Sequence, residues 1–203
     1  METYKDKIVF EATGHDHLMG IRYSKVDEND SSSANYLNKI LFPAVSPVSH
    51  TNPAFSTFTY DSSTKEASNL KSTFVKLTET FNKSSSTPYA NLPYFEVDFS
   101  TKFSFNSFSA DSIESLVNRL SSDLPLAREY IFNNMGIDTT DDAQVKQGLS
   151  SYQWTALIGP TRTAKNAFLQ EKDVHKTLCV MSKSKTVDDL RKCVRQGNFE
   201  EIE

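Results

Sequence analysis

The chain has 203 residues, with 37% hydrophobic, 24% charged and 11% aromatic side chains and a net charge of −4. That length buries a core of its own, on the order of 70% of the unfolded surface, and the composition excludes wholesale disorder. No apolar run reaches the roughly 18 residues that span a bilayer as a helix.

Charge and aromatic content are unevenly spread. Residues 1–108 hold 10 basic and 12 acidic side chains, 109–143 hold 2 and 7, and 144–199 hold 10 and 4. Eleven of the 14 phenylalanines precede residue 109, and five of the six arginines follow it. The composition therefore divides the chain into a β-rich aromatic region, 1–108, and a helical region, 109–203. The expected fold class is α+β: an antiparallel β-rich N-terminal half with one amphipathic helix, then a multi-helix C-terminal half. The two regions form one compact domain or two tightly packed subdomains.

In chain order, residues 4–11 and 18–26 are β-prone runs flanking the turn-forming Thr13-Gly14-His15-Asp16, which predicts a hairpin. Residues 27–35 form a polar loop, the prolines at 43, 47 and 53 make 43–53 irregular, and 55–60 is a short strand. Ala67, Leu70, Phe74, Leu77 and Phe81 recur at three and four residues, predicting a helix over 64–82 with Ser63 and Glu66 as a capping box. Residues 94–106 place Phe95, Val97, Phe99, Phe103 and Phe105 on odd positions, the period of a half-buried strand. That stripe reads as core in preference to a base-stacking platform.

After residue 109 the reading is helical. Residues 112–122 carry Asp111 and Glu114 as a capping box. Residues 124–135 have Asp123 as cap, Pro125 in the first turn and Gly136 as the closing glycine. Further helices are predicted over 141–158, 162–171, 174–181 and 187–196.

Three segments carry candidate chemistry. His15 and His17 share a side if the backbone is extended, and Glu11 supplies a third ligand, an oxygen beside two imidazole nitrogens, the minimum for a metal-dependent hydrolase. His50 and His175 sit in no recognisable ligand motif. Residues 157–166 look like a degraded phosphate-binding loop in which Ala164 and Asn166 replace the second glycine and the magnesium-binding hydroxyl; a helix stop explains them better. Nine basic residues lie within 162–195. Of these, Arg162, Lys165, Lys172, Lys176, Arg191, Lys192 and Arg195, with Trp154 as a stacking side chain, make a candidate phosphate-binding surface.

No nucleophile elbow or dinucleotide fingerprint is present, and no cofactor is implied. Cys179 and Cys193 read as free thiols of an intracellular protein, since METYKDKIVF lacks a signal-peptide pattern; the expected location is the cytoplasm. The leading functional reading is a non-enzymatic assembly or interaction protein, a homo-oligomer or the binder of a protein partner. A viral or particle structural protein fits this composition. The alternatives are a nucleocapsid-like protein binding RNA or DNA and the metal-dependent hydrolase.

Overall fold

A computed structural model describes residues 7–15, 17–25, 36–46, 52–81 and 92–140, together with 175, 177–179, 181 and 192–193. It is an α+β protein, with two three-stranded sheets in the N-terminal half and helices following them.

The first sheet has strands β1 (Glu11–Thr13), β2 (Gly20–Lys25) and β3 (Tyr36–Leu41) in the order β1-β3-β2. β3 runs antiparallel to β2 and parallel to β1. The expected hairpin is therefore corrected: its two arms do not pair with each other but sit on opposite sides of β3. β3 escapes a period-2 reading because the polar Asn38 shares its buried face with Ile40. Asn38 is buried to a purpose: its Nδ2 donates to the Phe108 carbonyl at 2.8 Å.

The second sheet is built from β4 (Ala54–Asp61), β5 (Glu66–Val75) and β6 (Tyr94–Asp98), antiparallel throughout in that order. The helix predicted over 64–82 is thus replaced by β5 and a five-residue helix, α1 (Leu77–Phe81). The cause is a bulge. Asn69 takes a positive φ of 54°, and the register shifts between Thr57 and Thr59. The extra residue turns the spacing between the buried Ala67 and Leu70 from two to three, which mimics a helical turn. Ser63 is no helix cap either. It donates its amide and hydroxyl to Asp61 Oδ1 within the β4–β5 turn, at 2.8 and 2.6 Å.

The phenylalanine stripe of 94–106 also changes conformation midway. β6 stops at Asp98, whose carboxylate caps α2 (Phe99–Phe103) by accepting the Thr101 amide at 3.0 Å. Four residues is two strand repeats and about one helical turn, so Phe99 and Phe103 stay on the buried side after the switch. Ser104, with φ 46°, ends α2 and returns Phe105 to the core.

Two longer helices follow. α3 (Ala110–Ser122) is capped by Ser109, which accepts the Ser112 amide, two residues earlier than the predicted cap at Asp111. α4 (Leu124–Asn134) is capped by Asp123 with Pro125 in its first turn, as expected. One hydrophobic core joins both sheets to these helices, running from Ile21 and Ile40 through Leu70, Phe74 and Val97 to Ile113, Leu116 and Tyr130. Packing thus continues across the compositional shift at residue 108. The helices predicted over 141–158 and 162–171 lie outside the described residues. Those at 175, 177–179, 181 and 192–193 are helical. Among the described residues, no helix is long and apolar enough to cross a membrane.

Candidate functional site

The two edges of the second sheet are unlike. β6 is short, follows Pro93, and carries Glu96 and Asp98. Lys71, on the central strand, lies 2.9 Å from Asp98 and 3.9 Å from Glu96. The Asp98 hydrogen bond raises the Lys71 pKa. Partial burial pushes the Asp98 carboxyl upward, but the Thr101 amide and Lys71 outweigh it and hold the group below its usual value. Charge and brevity are devices that blunt a sheet edge; a proline precedes both edge strands, Pro93 before β6 and Pro53 before β4.

β4 is neither short nor, along its first seven residues, charged. Its sequence is AFSTFTYD, eight residues without Lys, Arg or Pro. Phe55 is 56% exposed, Phe58 40% and Tyr60 50%. Tyr94, on β6 and on the same outer face as Phe55, is 65% exposed. Four of the five exposed large hydrophobic residues among those described therefore belong to this one sheet, the fifth being Val45. The strand is anchored from beneath. Phe58 lies 5.4 Å from both Phe10 and Phe108, ring centre to ring centre, and Ser56 shares a 2.6 Å hydroxyl contact with the buried Ser72. At its start, the Ala54 amide donates to the Ala44 carbonyl at 2.9 Å. At its end, Asp61 accepts the Ser63 hydroxyl and the Ser63 and Thr64 amides, which keep its carboxyl below the ordinary range. β4 is thus a well-supported strand with an apolar rim.

The predicted site residues fall in different places. Glu11 is on β1 and pairs with Lys39 at 3.1 Å. His15 and His17 have positive φ values of 89° and 59°, so the extended backbone that would align them on one side is missing there. His17 Nδ1 lies 3.3 Å from the Ser46 carbonyl. Of the candidate phosphate-binding set, Lys192 is helical; Trp154, Arg162, Lys165, Lys172, Lys176, Arg191 and Arg195 lie outside the described residues.

One group of metal-ligating side chains does converge among the described residues, and it is a different one: His175, Cys179 and Cys193. Cys179 and Cys193 are joined by a disulfide with a Cα–Cα distance of 5.7 Å. The expectation of free thiols is therefore corrected. Spacing alone did not pair them, because the 14-residue separation says nothing of a helical segment returning to its neighbour. A signal was present in the sequence: His175 and Cys179 stand four apart, one helical turn.

Comparison with known proteins finds no matching family model and no matching curated protein.

Proposed function

We propose that this chain is a non-enzymatic assembly protein that self-associates by pairing β4 with β4 of a second copy. The observation that carries the reading is the contrast between the two edges of the second sheet: one five residues long with two carboxylates, the other eight residues long, apolar-rimmed and charged only at its last residue, Asp61. An antiparallel strand turns alternate backbone amides and carbonyls to its open side, and a second strand satisfies them while covering apolar side chains. Two antiparallel β4 strands related by a twofold axis would make a continuous six-stranded sheet, with Phe55 and Tyr60 contributing from both copies. The opposite charge balances of 109–143 and 144–199 add a second, electrostatic means of association between copies.

Size-exclusion chromatography with light scattering, on the untagged full chain with and without nuclease, tests this. A nuclease-resistant oligomer that becomes monomeric in the Phe55→Lys/Tyr60→Lys variant, with unchanged far-ultraviolet circular dichroism, is the expected outcome. A wild-type monomer at every concentration rejects it. A nuclease-sensitive particle would favour instead the basic set of the C-terminal region and an RNA or DNA partner.

A further inference from the structure

The cluster at His175, Cys179 and Cys193 contains no residue of β4 and rests on a separate observation. Its three donor atoms, one imidazole nitrogen and two sulfurs, all lie within 4.8 Å of one another. Cys179 is buried at 1% exposure, and His175 Nε2 stands 3.5 Å from its sulfur. The same nitrogen lies 2.9 Å from the Cys193 carbonyl oxygen. Zinc bound tetrahedrally at roughly 2.0–2.3 Å sets neighbouring donors about 3.5 Å apart. The nitrogen and the Cys179 sulfur already have that separation, and rotation about the cysteine side chains brings the second sulfur to it.

We propose that His175, Cys179 and Cys193 form a zinc site whenever their disulfide is reduced, so that metal binding and the disulfide are alternative states of the same two sulfurs. A dithiol reductant supplies the two electrons. The Cys179–Cys193 S–S bond breaks, the reductant's two thiols close into its own disulfide, and their two protons pass to the cysteine sulfurs. Zn²⁺ then displaces both protons as the two thiolates bind. His175 binds through Nε2 with its ring proton on Nδ1, so the contact with the Cys193 carbonyl is given up on metal capture. Thiolate with imidazole is the donor set that suits zinc among the available divalent cations. Three protein donors leave one tetrahedral position for an exchangeable ligand such as water.

Cobalt titration of the full untagged chain, with Co²⁺ as the spectroscopic stand-in for Zn²⁺, tests the site. Protein reduced by a dithiol and desalted anaerobically is expected to bind one equivalent, with a thiolate-to-cobalt charge-transfer band that Zn²⁺ abolishes. Oxidised protein is expected to show no band. His175→Ala should weaken binding by about tenfold or more while still closing its disulfide on oxidation, and Cys193→Ser should lose the band. Absence of the band in reduced wild-type protein overturns the proposal, as does an undiminished affinity in His175→Ala. A measurement needing no variant stands beside these: Zn²⁺ should slow disulfide closure by a mild thiol oxidant. An unchanged closure rate in saturating Zn²⁺ would show that the two states do not exclude each other.

Discussion

Gly136 lies against the ring of Phe74. A Cβ built on it would stand 2.8 Å from Phe74 Cδ1 and 3.1 Å from Cε1, and its φ is +71°. The end of α4 thus closes directly onto the central strand of the second sheet. Asn52 completes the junction, its Nδ2 donating to the Gly136 carbonyl at 2.7 Å.

Gly136→Ala therefore carries two costs. A non-glycine residue at this φ loses roughly 1–2 kcal/mol, and crowding a packed ring adds about 1–3 kcal/mol. A destabilisation of about 2–5 kcal/mol is expected in urea unfolding. A loss below 0.5 kcal/mol would mean that α4 does not close on Phe74.

These two residues also illustrate what the sequence makes legible. Gly136 is readable because capping is local: Asp123, Pro125 and Gly136 act within a turn of the helix they bound. The same holds for the apolar face of α3. Phe74 is misread because its pattern depends on the bulge at Asn69, and a bulge is set by pairing with β4, which is distant in sequence. β3 is hidden for a related reason, since Asn38 answers a carbonyl 70 residues away. The candidate site divides in the same way. The aromatic content of 1–108 motivates the proposed interaction surface, but only strand order shows that β4 is an edge of its sheet. The His175–Cys179 spacing is local but makes no ligand motif by itself, and Cys193 joins the pair only through tertiary structure.

Asp138 and Lys76 should make stability fall in acid. Lys76 Nζ lies 2.9 Å from Asp138 Oδ2, and Thr140 donates to Oδ1 through its amide and hydroxyl at 3.0 and 2.6 Å. Burial pushes the Asp138 carboxyl up, but Lys76 and Thr140 prevail and hold it below 3.8. A depressed carboxyl contributes stability above its unfolded value and loses it as pH falls through the folded value. Asp138→Asn is expected to cost about 1–3 kcal/mol near neutral pH, with the gap to wild type narrowing below about pH 4. Parallel denaturant curves at neutral and acid pH check this; a gap independent of pH would rule out the carboxylate as its source.

Tyr130 contributes on the alkaline side. It is 1% exposed and packs edge-on against Phe99 and Phe103, and burial pushes its hydroxyl up to about 12. Asn134 and the Ile21 backbone offset part of that burial effect. Ionisation is thus disfavoured in the folded state, so the contribution is complete below pH 10, the unfolded value, and is lost as pH rises toward about 12. Two pK units correspond to about 3 kcal/mol. Tyr130→Phe should remove much of the stability loss between about pH 9 and pH 11.5. Identical alkaline profiles for the two proteins would assign that loss to other groups.

The Cys179–Cys193 bond closes a loop of 14-residue separation. Chain-entropy arguments give such a cross-link about 3 kcal/mol. Wild-type protein in a dithiol reductant should therefore melt lower than oxidised protein, and a Cys179→Ser/Cys193→Ser variant should melt at the reduced position with or without reductant. Excess Zn²⁺ should restore part of the difference to reduced wild type, because a ligand that binds only the folded chain stabilises it by mass action. It should restore nothing to the double variant, which lacks both sulfurs. Calorimetry on these two proteins, with reductant and zinc varied independently, separates the cross-link from the metal. A reductant shift without a zinc effect leaves a structural disulfide alone, and a zinc effect equal in both proteins places the metal elsewhere on the chain.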